Sequence, residues 1–386
     1  MIQEEYRLIQ DSATRMAKAL AAKAAPAGPA ADAFSREAVD ELVASGLWAL
    51  ACPPEHGGVG GDPRALALVA HELARVSGSM GLSFVAHSSV CRALDTFGSS
   101  AQKQEYLPRL AAGYVGAFAV HEAASGAVAA AIATRAELAG RDLLLTGSKF
   151  FVTNGREADV ILALAQSDSE GADGPSFSVI LLDGLTHGLT RGPHDSRMGL
   201  SGTGSCEMVF RECRVPAEQV VGDMGGGMGV LKVALVEYAF FGAAAVSLGL
   251  ATSCLDAAVR HASERTIQGV AIGEQQAVRL MIAEMDGLVG ASRTLLWDAA
   301  TRAGETPGQA VLLASRAKRF ISSSAVRAAD LAIQVCGGHG YSRELPLESR
   351  YRDARGLTLH YKTTELLGLE IAGLVLESRG VEPWRA

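Results

Sequence analysis

Four short runs, Asp142–Val152, Ala158–Ala165, Ser176–Leu182 and Cys206–Val215, are rich in Leu, Val, Ile and Phe, and Gly, Asn, Asp and Pro clusters separate them. Runs of this length bounded by turn residues predict a small, mostly antiparallel β unit. Both flanks carry a different period. In Asp62–Val76, residues Leu66, Val69, Ala70, Leu73 and Val76 fall at spacings of 3, 4 and 7, one face of a helix. Pro53 to Gly61 is a turn-rich break before it, and 101–110 reads as another helical segment. Helical period returns after Met228. One stripe is Val278, Met281, Ile282, Met285, Leu288, Val289, Ser292, Leu295, Leu296 and Ala299; a second is Leu313, Ala317, Phe320, Ile321, Ser324, Ala328, Leu331 and Val335. Between them Thr306-Pro307-Gly308-Gln309 reads as a capping box with Pro at the first helical position. Sustained stripes on long helices predict a four-helix bundle. The expected fold is α+β: an N-terminal all-α domain over 1–118, a middle antiparallel β domain over 119–225 and a C-terminal helical bundle over 226–386.

Composition narrows the function classes. With 386 residues, 48% apolar and 20% charged, the chain can bury a large core. Aromatics make up only 5%, so that core is built from small aliphatic side chains, which suits close-packed helices. A net charge of −7 argues against nucleic acid as the partner, since phosphate binding needs a concentrated basic surface. The six cysteines are scattered without a C-x-x-C or a recurring Cys/His spacing, so reduced thiols, no metal site and a cytoplasmic location are expected. MIQEEYRLIQDSATRM carries early acids and no apolar segment, unlike a signal peptide. The longest apolar run, Ala239–Ala251, is too short to span a bilayer, so no membrane association is expected.

Four stretches carry candidate chemistry. Lys149-Phe150-Phe151-Val152-Thr153-Asn154-Gly155 is a strand that ends in an Asn-Gly turn and presents an aromatic and a hydroxyl. Glu264-Arg265-Thr266-Ile267-Gln268-Gly269, followed by Glu274-Gln275-Gln276, offers a guanidinium able to fork onto phosphate oxygens. Gln334-Val335-Cys336-Gly337-Gly338-His339-Gly340-Tyr341 reads as a helix C-cap and also allows close backbone approach to a diphosphate. Leu345–Leu366, LPLESRYRDARGLTLHYKTTEL, joins a charged segment to a short apolar turn and then to Thr363-Thr364-Glu365. The glycine-rich Gly222–Gly229 lacks G-K-[ST] and is read as the hinge into the bundle.

Together these stretches resemble the acyl-CoA dehydrogenase family in order and spacing over nearly the whole chain. The N-terminal half adds GLWALACPPEHGGVGG, QKQEYLPRLAAG and FAVHE, and the β unit adds Met198-Gly199-Leu200 and Arg214-Val215-Pro216-Ala217. The resemblance implies FAD at the junction of the β domain and the bundle. It also implies a homotetramer, or a hetero-oligomer with a related subunit, in which a neighbouring chain helps hold each cofactor. An acyl thioester on CoA or acyl-carrier protein is the implied substrate, and an electron-transferring flavoprotein a possible electron partner. The implied flavin contacts are Phe118, Val120 and His121, with Phe151 shielding one flavin face and the Thr153 hydroxyl reaching N5. Arg265, Gln268 and Gln276 are implied on the diphosphate and adenine side, with Gln334, Gly337, Gly338, Thr363 and Glu365 completing the set.

The departures fall near the substrate. His121 replaces a flavin-contacting hydroxyl residue, and Ala127-Val128 replaces a Ser-Asp along the thioester entry, while Glu122 and Gly126 keep the pattern. Phe240 stands where the family generally has Arg, and Ala239 where some members carry an alternative catalytic Glu. Glu237 lies about 200° further round a regular helix and should point elsewhere. Tyr361 stands in place of the usual catalytic Glu and Lys362 in place of Gly, which leaves Tyr361 and His360 as the catalytic candidates. Removing a proton α to a thioester carbonyl calls for a carboxylate base, and a phenol with an unperturbed pKa near 10 is a poor substitute. Thr358-Leu359-His360 also resembles the T-L-H ending of flavin-dependent monooxygenases with the same fold. Three readings stand open here: a dehydrogenase, a monooxygenase, and a catalytically silent partner subunit.

Overall fold

The computed structural model describes residues 4–23, 34–124, 131–167 and 176–381. Five helices come first: α1 (Glu4–Lys23), α2 (Arg36–Ala44), α3 (Pro63–Val76), α4 (Gly78–Phe97) and α5 (Ser100–Ala111). Their starts are chemically marked. The Asp62 side chain accepts from the N–H of Arg64 and of Ala65, with Pro63 at the first helical position. Ser99 and Gln102 form a full capping box at α5. α4 is buried almost all round, so it shows no one-sided stripe in the sequence.

Eight strands follow: β1 (Gly116–Ala119), β2 (Arg135–Ala139), β3 (Asp142–Val152), β4 (Val160–Ser167), β5 (Ser176–Asp183), β6 (Leu189–His194), β7 (Cys206–Pro216) and β8 (Val220–Val221). They form one sheet in the order β6-β7-β3-β2-β4-β5-β8, with β1 also on β4. The pairings are antiparallel except β1 with β4 and the short β2–β4 contact. The four runs singled out in the sequence are β3, β4, β5 and β7. Along β4, Val160, Leu162 and Leu164 join the large core shared with the helices. Ile161, Ala163 and Ala165 join a second core on the other face of the sheet. Burial on both faces explains the unbroken apolar run.

The C-terminal helices are α6 (Gly227–Leu231), α7 (Phe240–Glu264), α8 (Gln276–Glu305), α9 (Ala310–Cys336), α10 (Gly338–Tyr341), α11 (Leu347–Leu357) and α12 (Thr364–Glu377). A hairpin of β9 (Thr266–Ile267) and β10 (Val270–Ala271) joins α7 to α8. The bundle consists of three long helices, α7, α8 and α9, with the shorter α11 and α12 packed on α9.

Three expectations need correction. The apolar helix is longer than the run read from the sequence: Gly227–Glu264 is continuously helical for 38 residues, with a π-helical stretch at Lys232–Ala239. By length and composition that run could cross a membrane, but 83% of its apolar window is buried inside the molecule, as in a core helix. The capping box at Thr306–Gln309 does not form. Thr306 instead closes α8 through its N–H to the Arg302 carbonyl, Pro307–Gln309 make a 3-10 turn, and α9 starts at Ala310 without a side-chain cap. Phe320 leaves the buried stripe of α9 and is 42% exposed, while its neighbour Ile321 is fully buried.

The charged segment of α11 joins all three parts of the chain. Asp353 accepts from the Leu200 N–H at 2.6 Å, and Arg352 donates to the Met198 carbonyl at 2.6 Å while pairing with Glu348 at 2.7 Å. Arg350 reaches the carbonyls of Ser253 and Arg75. The approach is close enough to require glycine: a Cβ on Gly199 would sit 2.5 Å from the Arg352 backbone.

Candidate active site

The stretch Lys149–Gly155 lies at the end of β3, where the register against β7 shifts between Lys149 and Val152. β3 carries one residue more than its partner there, a bulge that re-aims side chains. Phe151 is held at φ 54° with its ring 61% exposed. Asn154 takes φ 63°, and its side-chain amide donates to the carbonyls of Ser83 and Gly116. Between them the Thr153 hydroxyl is buried and has no hydrogen-bond partner. A stranded hydroxyl of this kind is costly in the absence of a ligand acceptor. It fits the flavin contact implied by the resemblance, and the outward Phe151 face fits the implied shield.

Behind this edge sits a buried ion pair. Lys149 Nζ is 2.7 Å from Glu122 Oε1 and donates to the Val120 carbonyl at 3.0 Å. Burial pulls the Lys149 amine down to about 8, against the pull of Glu122. Burial pushes the Glu122 carboxyl upward, but hydrogen bonds from Lys149, Thr134 and the Ala133 N–H outweigh it and hold the group below its ordinary range. The pair fixes the chain leaving β1, so Val120 and His121 are placed by it. Phe118 is half-buried on β1 itself.

His121 reaches across to the C-terminal turn, with its Nε2 3.1 Å from the Tyr361 carbonyl oxygen. Burial lowers its imidazole. Tyr361 takes φ 59°, rare for a residue of its size. Its ring lies 4.2 Å from that of His360 and 6.0 Å from that of Phe240. Each residue is partly exposed, yet Tyr361 Oη and His360 Nε2 are both sheltered and without a partner. Burial pushes the Tyr361 phenol well up, so it keeps its proton. Burial first, then the positive charges of Lys318, Arg197 and His121, push the His360 imidazole well down, so it is neutral. Ala239 and Phe240 are buried at the end of the π-helical stretch, and Glu237 turns to Lys232 at 3.5 Å.

The sequence reading missed Lys318, in the middle of α9. It is fully buried and donates to the carbonyls of Lys362 at 2.8 Å and Leu357 at 3.4 Å. Burial, and secondarily Lys362, pull its amine down to about 7. The one available signal was a lysine beside Ala317 in an otherwise apolar stripe. Lys362 pairs with Glu370 at 3.0 Å, and Ser315 donates to the same carboxylate.

The remaining candidates gather at the far end of α9. Gln334 is exposed near its C-terminus, and Gly337 closes the helix at φ 58° with open space around it and Gly338. His339 lies 5.8 Å from His261, one turn before Arg265, so these glycines and Arg265 share one end of the bundle. Gln268, at φ 52°, and Gly269 form the tip of the β9–β10 hairpin. Arg265, Gln268 and Gln276 are all exposed. Sixteen residues of α9 separate Lys318 from Gln334, about 24 Å of helix. The turn around Tyr361, held by Lys318, and the Arg265–Gly338 group therefore lie at different levels of the bundle. Thr363 caps α12 through the Leu366 N–H, and Glu365 is exposed in its first turn. The positions 125–128, with Gly126, Ala127 and Val128, lie outside the described residues.

Comparison with known proteins agrees with this layout. Family models described as acyl-CoA dehydrogenase N-terminal, middle and C-terminal domains match residues 3–114, 117–213 and 225–373. An acyl-CoA dehydrogenase of Bacillus subtilis (strain 168) is 33% identical over 350 residues, 89% of this chain and 91% of its own length. The structure of butyryl-CoA dehydrogenase from Megasphaera elsdenii superposes with a TM-score of 0.91 at 28% identity, covering 97% of this chain and 99% of the other. A chain from the structure of the electron transferring flavoprotein of Acidaminococcus fermentans gives 0.90 at 30% identity, covering 97% and 99%.

Proposed function

The chain belongs to the acyl-CoA dehydrogenase family of FAD-dependent oxidoreductases, and from that premise we propose how its own residues share the α,β-dehydrogenation of an acyl thioester. The observation that carries the reading is the buried, partnerless Thr153 hydroxyl just past the bulge of β3. FAD supplies the hydride acceptor when bound. With FAD in place, the Thr153 hydroxyl would be a fixed, dry hydrogen-bond donor to the flavin. Phe151 covers a flavin face, and Phe118, Val120 and His121 line the approach from β1. Tyr361 holds its proton and offers its hydroxyl to the acyl group. His360, kept neutral, offers Nε2 to the acyl group as a hydrogen-bonding group.

Arg265, Gln268, Gln276, Gln334, Gly337 and Gly338 take the diphosphate and adenine side. About 24 Å of α9 separates Gln334 from Lys318 and the turn it holds, and in our reading one chain offers the flavin surface and a neighbour the other. Exposed Ile267, Val270 and Tyr341 around the same end favour burial by a second copy. The assembly we propose is a homotetramer, with a related subunit as the alternative neighbour and an electron-transferring flavoprotein as electron acceptor. Six free, buried thiols suit a cytoplasmic setting. The deciding experiment is anaerobic titration of the FAD-loaded protein with acyl-CoA esters. Bleaching of the flavin absorbance without oxygen is expected. A protein that takes up no FAD, or whose flavin is reduced by no acyl thioester, would sink the reading.

A further inference from the structure

The turn bearing His360 and Tyr361 is braced from three sides. Lys318 donates to the carbonyls of Leu357 and Lys362, His121 contacts the Tyr361 carbonyl, and Arg319 donates to that of Thr364. The bracing keeps Tyr361 in a left-handed conformation, and such strain persists where the surroundings over-determine it. The result is two sheltered polar atoms, Tyr361 Oη and His360 Nε2, with nothing to bond. A hydrocarbon acyl chain would leave both dry, a cost that sites for apolar groups avoid.

The charge around the turn points the same way. The groups acting on His360 are Lys318, Arg197 and His121, all basic. Nearby carboxylates are already engaged: Glu122 with Lys149, Glu370 with Lys362 and Ser315, Asp353 with the Leu200 N–H, and Asp195 with Ser205. Resting on the acyl-thioester reading above, we propose that the acyl group carries its own carboxylate, received by Tyr361 Oη and His360 Nε2, so that the substrate is a thioester of a dicarboxylic acid. A phenol O–H and an imidazole N–H facing one carboxylate make charge-assisted hydrogen bonds, and the basic surroundings favour the anion.

Succinyl-CoA and butyryl-CoA test this, because both have four-carbon acyl chains and differ in a terminal carboxylate against a methyl. Binding is read from the perturbation of the flavin spectrum of the FAD-loaded protein under anaerobic conditions, which does not require turnover. Succinyl-CoA should bind roughly 10- to 100-fold more tightly. Tyr361→Phe should cut that preference, read as the ratio of the two affinities, about tenfold. Equal or tighter binding of butyryl-CoA by the wild type overturns the inference and leaves the acyl-thioester reading intact. If neither ester perturbs the flavin, this inference falls, and the wider acyl-CoA titration decides the acyl-thioester reading separately.

Discussion

Lys318 Nζ donates to the carbonyl oxygen of Lys362 at 2.8 Å, one residue past Tyr361. A buried ammonium normally sits beside a carboxylate, but the partners Lys318 has here are main-chain carbonyls of the turn it braces. Its role is positional. Lys318→Met keeps the stem and removes the donor, so the Leu357 and Lys362 carbonyls lose their tie to α9. Amide exchange across 357–363 should speed up, while that of α7 stays slow. Unchanged exchange in the turn would show that the lysine does not hold it.

The same side chain sets a pH dependence. Folding lowers the Lys318 pKa from 10.5 to about 7, so between those values the unfolded chain binds more protons than the folded one. Stability therefore rises with pH through that window, and the cost of burying the charged form is present in full below it. Lys149, lowered from 10.5 to about 8, adds with the same sign. The urea midpoint of the wild type should increase from pH 7 to pH 9, and the increase should be smaller in Lys318→Met. An equal increase in both proteins would remove Lys318 as its source.

Arg265→Ala tests the far group of candidates. The side chain is exposed and its backbone N–H is held by the His261 carbonyl, so truncation should leave the fold intact. FAD retention should fall, with the far-ultraviolet circular dichroism unchanged, because the loss falls on a cofactor contact. Equilibrium dialysis against FAD gives the comparison. Undiminished flavin content would mean that Arg265 does not touch the cofactor.

Some of this was legible in the residues and some was not, for identifiable reasons. β3, β4, β5 and β7 could be read because their apolar runs end at turn clusters; β6 could not, because its residues are half-buried or exposed and show no clean alternation. α3, α8 and α9 announce themselves by one-sided stripes, while α4 is buried on nearly every side and so has no period to find. The Thr153 hydroxyl was visible as a polar residue placed before an Asn-Gly turn. Lys318 was not, since a lysine in a helix usually marks the solvent side and only tertiary packing buries it. The failed cap at Thr306 shows the same limit, because the preceding helix claims the residue that pattern assigns to the next one.

The last prediction concerns Tyr361→Glu. The wild-type chain has a protonated phenol at 361 and a buried methyl at Ala239, so neither position that the resemblance assigns to the base supplies a carboxylate. A glutamate at 361 would inherit a turn already fixed by Lys318 and His121, and it would sit against Phe240 among basic neighbours. Burial at this position would push the carboxyl upward, toward the range in which a buried carboxylate base works. General-base catalysis contributes roughly 10²- to 10⁴-fold, and an imperfectly placed base recovers part of that. Flavin reduction by butyryl-CoA should therefore rise by at least about tenfold in Tyr361→Glu. The same charge should repel an acyl group that carries its own carboxylate, so reduction or binding with succinyl-CoA should weaken. Rapid reduction of the wild type by butyryl-CoA would reveal another base at work. If the variant binds butyryl-CoA and reduces no faster, the missing carboxylate is not what limits the reaction.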